Sequence, residues 1–328
     1  MTDKILKWGL LSTARINRAL IPPLRASQRN QLVAVASRTR DSADKYAREW
    51  KIPQAYGSYE ELLADPEIDV IYNSLPNNLH VEWTIKAVEA GKHVLCEKPI
   101  ALRVEDVDAI QAAAKRTGRV VAEAFMYRHH PQTLKAVELV QRGALGTLKL
   151  IRGSFAYMLS READVRMQPE LGGGSIWDVG CYPISFARLV ADAEPVEAFG
   201  WQVTGSTGID VVFSGQLKFA SGLLAQFDCG FRAPYRTAFE IVGTRGSIEL
   251  DSPFKPAGGE WIKIKQGDRV ELLEAPRADH LYLGEVEDME RAVLDGQSPR
   301  ISLENSRGNI ATILALLESA RTGQVVRV

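Results

Sequence analysis

Between Ile5 and Phe125 the chain alternates short apolar runs with amphipathic stretches, a rhythm that few architectures can use. Runs apolar on every residue must be buried on both faces, so the pattern predicts a parallel sheet covered by helices on either side. Strands are predicted at Ile5–Leu11, Leu32–Ser37, Val70–Leu75, His93–Cys96 and Val120–Ala124. Helices are predicted at Asp41–Trp50, Glu60–Ala64, His80–Ala90, stopped by Gly91, and Val104–Thr117, stopped by Gly118. The first crossover carries Pro22 and Pro23, which predict a break or kink, with Pro22 opening a second short turn.

After Phe125 the pattern changes. A helix over Gln132–Arg142 leads into β-rich segments at Leu148–Tyr157, Val196–Val203, Val211–Phe219, Leu223–Phe231, Ala238–Val242, Ser247–Leu250, Trp261–Lys265 and Val270–Leu273. Short turns such as Ala220-Ser221-Gly222 predict consecutive antiparallel pairing. Helices are predicted at Ser175–Val190, Leu283–Leu294 and Ser302–Ala320. The fold class is thus an α/β domain over residues 1–124 followed by an α+β domain with a large open antiparallel sheet over 125–328. Two cores also suit a chain of 328 residues, since single cores stop growing at roughly 250–300.

With 45% hydrophobic and 25% charged residues there is apolar side chain enough for two cores, and a formal net charge of -1 leaves no basic footprint for nucleic acid. No apolar stretch is long enough to span a bilayer and the start of the chain shows no signal-peptide pattern, so the expected location is the cytoplasm. Cys96, Cys181 and Cys229 are scattered and odd in number, which fits a reducing compartment and no disulfide framework.

Four segments carry chemistry. Gly9-Leu10-Leu11-Ser12-Thr13-Ala14-Arg15-Ile16 follows the first strand, where a dinucleotide fold needs small residues so that backbone N–H groups can approach a pyrophosphate. An ordinary strand-to-helix turn is the alternative. Ser37-Arg38-Thr39-Arg40 ends the second strand without an acid before Asp41, which suits the 2′-phosphate of NADP better than the free ribose of NAD. A solvated basic turn would look the same. Cys96-Glu97-Lys98-Pro99 puts a lysine at the carboxyl end of a strand, where open parallel sheets place ligands, although a surface lysine is the plainer reading. Gly172-Gly173-Gly174-Ser175 opens a helix on which Asp178 and Tyr182, four apart, share a face and could serve acid/base chemistry, unless Asp178 only caps the helix.

Together with Leu75-Pro76-Asn77-Asn78-Leu79-His80 and the run Ala90-Gly91-Lys92-His93-Val94-Leu95-Cys96-Glu97-Lys98-Pro99, these segments resemble the glucose-fructose oxidoreductase, inositol dehydrogenase and MocA (Gfo/Idh/MocA) family over essentially the whole chain. The resemblance implies a Rossmann domain followed by the open sheet, with nicotinamide between them. It implies that Lys98 is the catalytic lysine and that Asp178 is the carboxylate of the second motif. Many members carry histidine where this chain has Tyr182; tyrosine there resembles the branch of NADP-linked xylose dehydrogenases and dimeric dihydrodiol dehydrogenase, as does Glu123-Ala124-Phe125-Met126-Tyr127-Arg128-His129-His130-Pro131. In that branch Tyr182 would transfer the proton and Lys98 would favour its ionised form. Ser12 and Ala14 stand where the family usually has glycine.

The implied cofactor residues are Ser12, Thr13, Ala14, Arg15, Ile16, Ser37, Arg38, Leu75, Pro76, Asn77, His80, Glu97 and Lys98, with NADP expected and NAD as the alternative. Tyr127, Arg128, Tyr157, Trp177, Asp178 and Tyr182 are the expected substrate residues, although core packing competes for the aromatics, Phe155 among them. Adjacent His129 and His130 lack the spacing of a metal pair, and no metal is expected. The expected activity is NADP-dependent hydride transfer between nicotinamide and a carbinol or carbonyl carbon of a small-molecule sugar, polyol or cyclic diol, and a noncatalytic NADP-binding sensor is the alternative. A sheet face carrying Phe213, Leu217, Leu223 and Phe227 would be costly to leave in water, which predicts a homodimer or homotetramer through the C-terminal sheet.

Overall fold

The apolar runs of the first third form a six-stranded parallel sheet in a computed structural model that describes residues 4–256 and 258–328. In chain order the elements are β1 (Leu6–Leu10), α1 (Asn17–Ala26), β2 (Asn30–Ala36), α2 (Arg40–Trp50), β3 (Gln54–Tyr56), α3 (Tyr59–Ala64), β4 (Val70–Asn73), α4 (His80–Glu89), β5 (His93–Glu97), α5 (Val104–Thr117) and β6 (Val121–Ala124). The strand order β3-β2-β1-β4-β5-β6 reverses direction at β1, and the carboxyl ends flanking that reversal are where such sheets bind ligands. Every residue of β4 is buried, as expected of a strand covered on both faces. The short strand β3 has only three residues and no apolar run to announce it.

The remaining elements are α6 (Pro131–Gln141), β7 (Leu148–Met158), α7 (Cys181–Ala191), β8 (Pro195–Thr204), β9 (Asp210–Phe219), β10 (Leu224–Gly230), β11 (Arg232–Gly243), β12 (Gly246–Leu250), β13 (Trp261–Gln266), β14 (Arg269–Glu274), α8 (Leu283–Leu294), α9 (Leu303–Thr322) and β15 (Val326–Arg327). The chain clusters into two compact units, one of Met1–Met126 with Tyr282–Arg307, the other of Tyr127–Leu281 with Gly308–Val328. Val286 and Met289 of α8 enter the core of the first unit beside Leu6, Trp8 and Tyr72. Among the described residues, no helix is long and apolar enough to cross a membrane.

Three expectations need correction. α1 runs unbroken through Pro22 and Pro23, because Ile21, Pro23 and Leu24 bury one face of the helix and that packing outweighs two absent backbone donors. Consecutive strands pair antiparallel from β8 to β10 and from β11 to β14 as expected, but the series is interrupted: the order is β14-β13-β12-β11-β7-β10-β9-β8-β15, with β7 lying parallel to β10 and separating it from β11. Phe213, Leu217, Leu223 and Phe227 do not face water. They are buried on the inner face, where Phe213 and Phe227 stack and Leu316 of α9 packs over Gly215. The outer face instead exposes Trp201, Leu224 and Leu272 among charged residues.

Candidate active site

The turn after β1 is held by a buried polar knot. The Ser12 hydroxyl lies 2.8 Å from the Ser74 hydroxyl and accepts from the Ala14 N–H at 3.0 Å, while Ser74 donates to Asn17 at 2.7 Å and the Asn17 amide donates to the Ser12 carbonyl. The knot ties the turn to the end of β4, and the hydroxyl that replaces glycine at position 12 is spent inside the protein. Thr13, Ala14 and Ile16 are half-buried and Arg15 is exposed. No side chain caps the start of α1 and its first turn has no acid, while the Asn17, Arg18 and Ala19 N–H groups donate to the Ala14, Arg15 and Ile16 carbonyls. Beside the turn is a concavity of about 350 Å³ lined by Thr13, Arg15, Arg18, Ser42, Lys45, Tyr46 and Glu49. Arg18 and Lys45 were not anticipated from the sequence, although Ser42, Lys45, Tyr46 and Glu49 have the spacing of one helix face.

Ser37 is buried at the end of β2 and Arg38 is exposed after it, with Thr39 capping α2 through the Ser42 N–H. Without a carboxylate at that strand end, the residues fit a phosphorylated ribose.

At the ends of β4 and β5, Leu75 is buried and Pro76 and Asn77 are half-buried. His80 is a strut: its ring nitrogens lie 2.7 Å from the Leu75 carbonyl and 2.7 Å from the Pro99 carbonyl, and burial pushes its pKa down to about 4. A neutral ring carries one N–H, so it donates to one of these carbonyls and packs against the other, between the β4 turn and Pro99. The Glu97 carboxylate accepts the Tyr72 hydroxyl, and Lys98 beside it is half-buried.

In the second unit, Asp178 and Tyr182 sit on a helix whose first turn is wider than expected. Ile176–Gly180 form a π turn that passes into α7, with Asp178 in the π turn and Tyr182 in α7. Such turns recur at functional sites. Asp178 accepts the Tyr157 hydroxyl at 2.7 Å and pairs with the Arg166 guanidinium at 3.2 Å, both through Oδ2. Asp178 raises the pKa of Arg166, and burial followed by the Asp178 charge raises that of Tyr157. The Tyr182 ring is 4% exposed and packs against Tyr127, Phe155 and Phe254, with centroids 5.5, 5.3 and 5.6 Å away.

The structure brings Tyr157 and Asp178 into direct contact. Tyr127 is fully buried, donating to the Tyr182 carbonyl, and Arg128 is buried against the Ser185 hydroxyl, so both support α7 from beneath. Trp177 is nearly buried beside Gly174, and His130 caps α6. Arg166 was missed because it lies in a single 3-10 turn, Val165–Met167, whose spacing carries no signal; only the fold brings it to Asp178.

A family model described as an oxidoreductase family with an NAD-binding Rossmann fold matches residues 6–125, and the model of the Gfo/Idh/MocA C-terminal domain matches residues 133–249. The chain belongs to the Gfo/Idh/MocA oxidoreductase family. It is 37% identical over 325 residues to a D-xylose 1-dehydrogenase (NADP(+)) of Haloferax volcanii, covering 98% of this chain and 99% of that one. The fold matches an aldose-aldose oxidoreductase from Caulobacter crescentus solved with glycerol, with a TM-score of 0.93, 26% identity and 99% and 100% of the two chains covered. It also matches a 3-ketoreductase from Actinomadura kijaniata in complex with NADP and TDP-benzene, with a TM-score of 0.91, 28% identity and 96% and 98% coverage. Variants of that reductase with one lysine or one tyrosine replaced have also been solved.

Proposed function

We propose that this family member is an NADP-dependent dehydrogenase or reductase acting on a CH–OH or carbonyl carbon of a sugar, polyol or cyclic diol, with Lys98, Asp178 and Tyr182 as its catalytic residues. The observation that carries the assignment is the pairing of Asp178 with Tyr157 and Arg166, on the same helix as Tyr182. The named relatives add a second support: the lysine and tyrosine replaced in the Actinomadura reductase are as far apart in sequence as Lys98 and Tyr182.

When bound, nicotinamide gives or takes the hydride. Asp178, already engaged by Arg166, serves to orient a substrate hydroxyl rather than to take its proton. The Tyr182 phenol exchanges the proton of the reacting oxygen, and the Lys98 ammonium favours the phenolate and stabilises negative charge on that oxygen. Thr13–Ile16 would hold the pyrophosphate, while Ser37, Arg38, Arg15 and Lys45 would supply donors and charge for the 2′-phosphate.

The proposal extends to a cytoplasmic enzyme that self-associates through the outer face of the large sheet. The direct test is turnover by Tyr182→Phe with NADP⁺ across a panel of aldoses, inositols and cyclic diols. A loss of at least a hundredfold in kcat with unchanged NADPH affinity is expected; wild-type kcat would remove Tyr182 from the mechanism.

A further inference from the structure

The helix that carries Asp178 and Tyr182 has no cap of its own, since Ser175 at its start makes no local side-chain cap. Its capping acceptor comes from far along the chain. Asp210, the first residue of β9 and 5% exposed, accepts the Ser175 hydroxyl at 2.5 Å and the Ile176 N–H at 2.8 Å, both through Oδ2. The other oxygen is pressed against Gly174: a Cβ built there, at φ 128°, would lie 2.4 Å from Asp210 Oδ1. On the other side of the loop, a Cβ on Gly173 would lie 2.6 Å from the Arg166 carbonyl, and the Gly174 N–H donates to that carbonyl at 3.0 Å. One turn on, a Cβ on Gly180 would strike the Cys229 sulfur of β10 at 2.8 Å. The glycine-rich loop therefore serves close packing between Asp210 and the Arg166 backbone.

We infer that Asp210 is a positioning residue: its carboxylate fixes the first turn of the helix, and so the placement of Asp178 and Tyr182 for the reaction. The inference rests on the role proposed above for those two residues. From the helix, Ser175 and Ile176 face the carboxylate; from the loop, Gly174 does; from β10, the Cys229 thiol approaches, with Asp228 and Cys181 beyond it. Burial pushes the Asp210 pKa up to about 6, against the hydrogen bonds it accepts. A folded-state pKa raised by burial means that protonation favours the closed segment, so the clamp should hold at low pH and loosen as pH rises through that value.

The test compares wild type, Asp210→Asn, Ser175→Ala and Tyr182→Phe between pH 5 and 8. Hydrogen exchange over residues 174–183 needs no substrate, and kcat is measured on whichever aldose, inositol or diol is turned over. In Asp210→Asn, exchange over 174–183 should be at least tenfold faster with the rest of the second unit unchanged. Its kcat should drop about tenfold and lose the wild-type change near pH 6, with NADPH affinity intact. Should Asp210→Asn fail to fold, Ser175→Ala carries the same test. The bond it deletes lowers the carboxyl pKa, so the pH at which kcat and protection change should move higher. Wild-type protection over 174–183 in both variants would overturn the inference. So would faster exchange throughout the second unit with the kcat–pH profile unmoved, which marks a merely structural residue. Normal turnover by Tyr182→Phe would instead sink the mechanism on which the inference rests, while the exchange data still decide whether Asp210 holds the segment.

Discussion

Asp178 offers one carboxylate oxygen to both the Tyr157 hydroxyl and the Arg166 guanidinium, and its chemistry follows from that sharing. On the proposed reading that shared carboxylate orients a substrate hydroxyl while Tyr182 exchanges the proton. Arg166→Ala should therefore lower kcat/KM by about tenfold to a hundredfold, the range expected from about 1.5–3 kcal/mol for a hydrogen bond to a charged group; unchanged kcat/KM would detach Arg166 from the site. Lys98, Asp178 and Tyr182, the proposed catalytic residues, stand out in the sequence because they lie in local motifs. Arg166 does not, because its 12-residue separation from Asp178 is bridged by a loop without periodicity. Glu285 in the first unit shows a different cost. It is 1% exposed, neither carboxyl oxygen has a partner among the described residues, and burial, then Glu97 and Asp288, raise its pKa well above the usual range. A raised folded-state pKa means its contribution to stability is full at low pH and is lost as pH rises through that value. Glu285→Gln should stabilise the protein at pH 8 by about 1–2 kcal/mol and leave it unchanged near pH 4. Equal urea midpoints for both proteins at pH 8 would contradict this.

Among the elements, those defined by local pattern match closely between sequence and structure: α5 and α8 have the expected bounds, and most strands differ by a residue or two at their ends. What local pattern does not carry is long-range choice. α1 stays continuous through Pro22 and Pro23 because its buried face is already committed to the core. An interior proline costs about 3 kcal/mol relative to alanine, offset in part by about 1 kcal/mol from the stiffer unfolded chain. Pro22→Ala should thus stabilise the protein by roughly 1–2 kcal/mol, read as a higher urea midpoint; a lower midpoint would show that the ring packs better than the argument allows. The insertion of β7 between β10 and β11 was equally hidden, since turn residues announce hairpins but say nothing about a strand arriving from earlier in the chain.

At the scale of the whole molecule, the alternation of apolar runs gave the parallel sheet, while the two faces of the large sheet were assigned the wrong way round. Period-2 alternation separates two sets of residues but does not say which set α7 and α9 will cover. With Phe213 and Phe227 buried, the open face presents Trp201, 62% exposed with its ring against Phe199 at 4.4 Å, together with Leu224 and Leu272. A second copy of the chain on that face would account for these side chains. Sedimentation at micromolar concentration should then give at least twice the chain mass for wild type and a shift toward monomer for Trp201→Glu; a monomeric wild type would refute the interface. The central claim, an NADP-linked oxidoreductase, is tested most directly by paired fluorescence titrations of NADPH and NADH, followed by turnover of aldoses, inositols and cyclic diols with NADP⁺. NADPH binding at least tenfold tighter than NADH, with turnover of one substrate class that Lys98→Ala abolishes without loss of NADPH affinity, is the predicted result. Equal affinity for the two cofactors, or tight NADPH binding with no turnover across the panel, would contradict it.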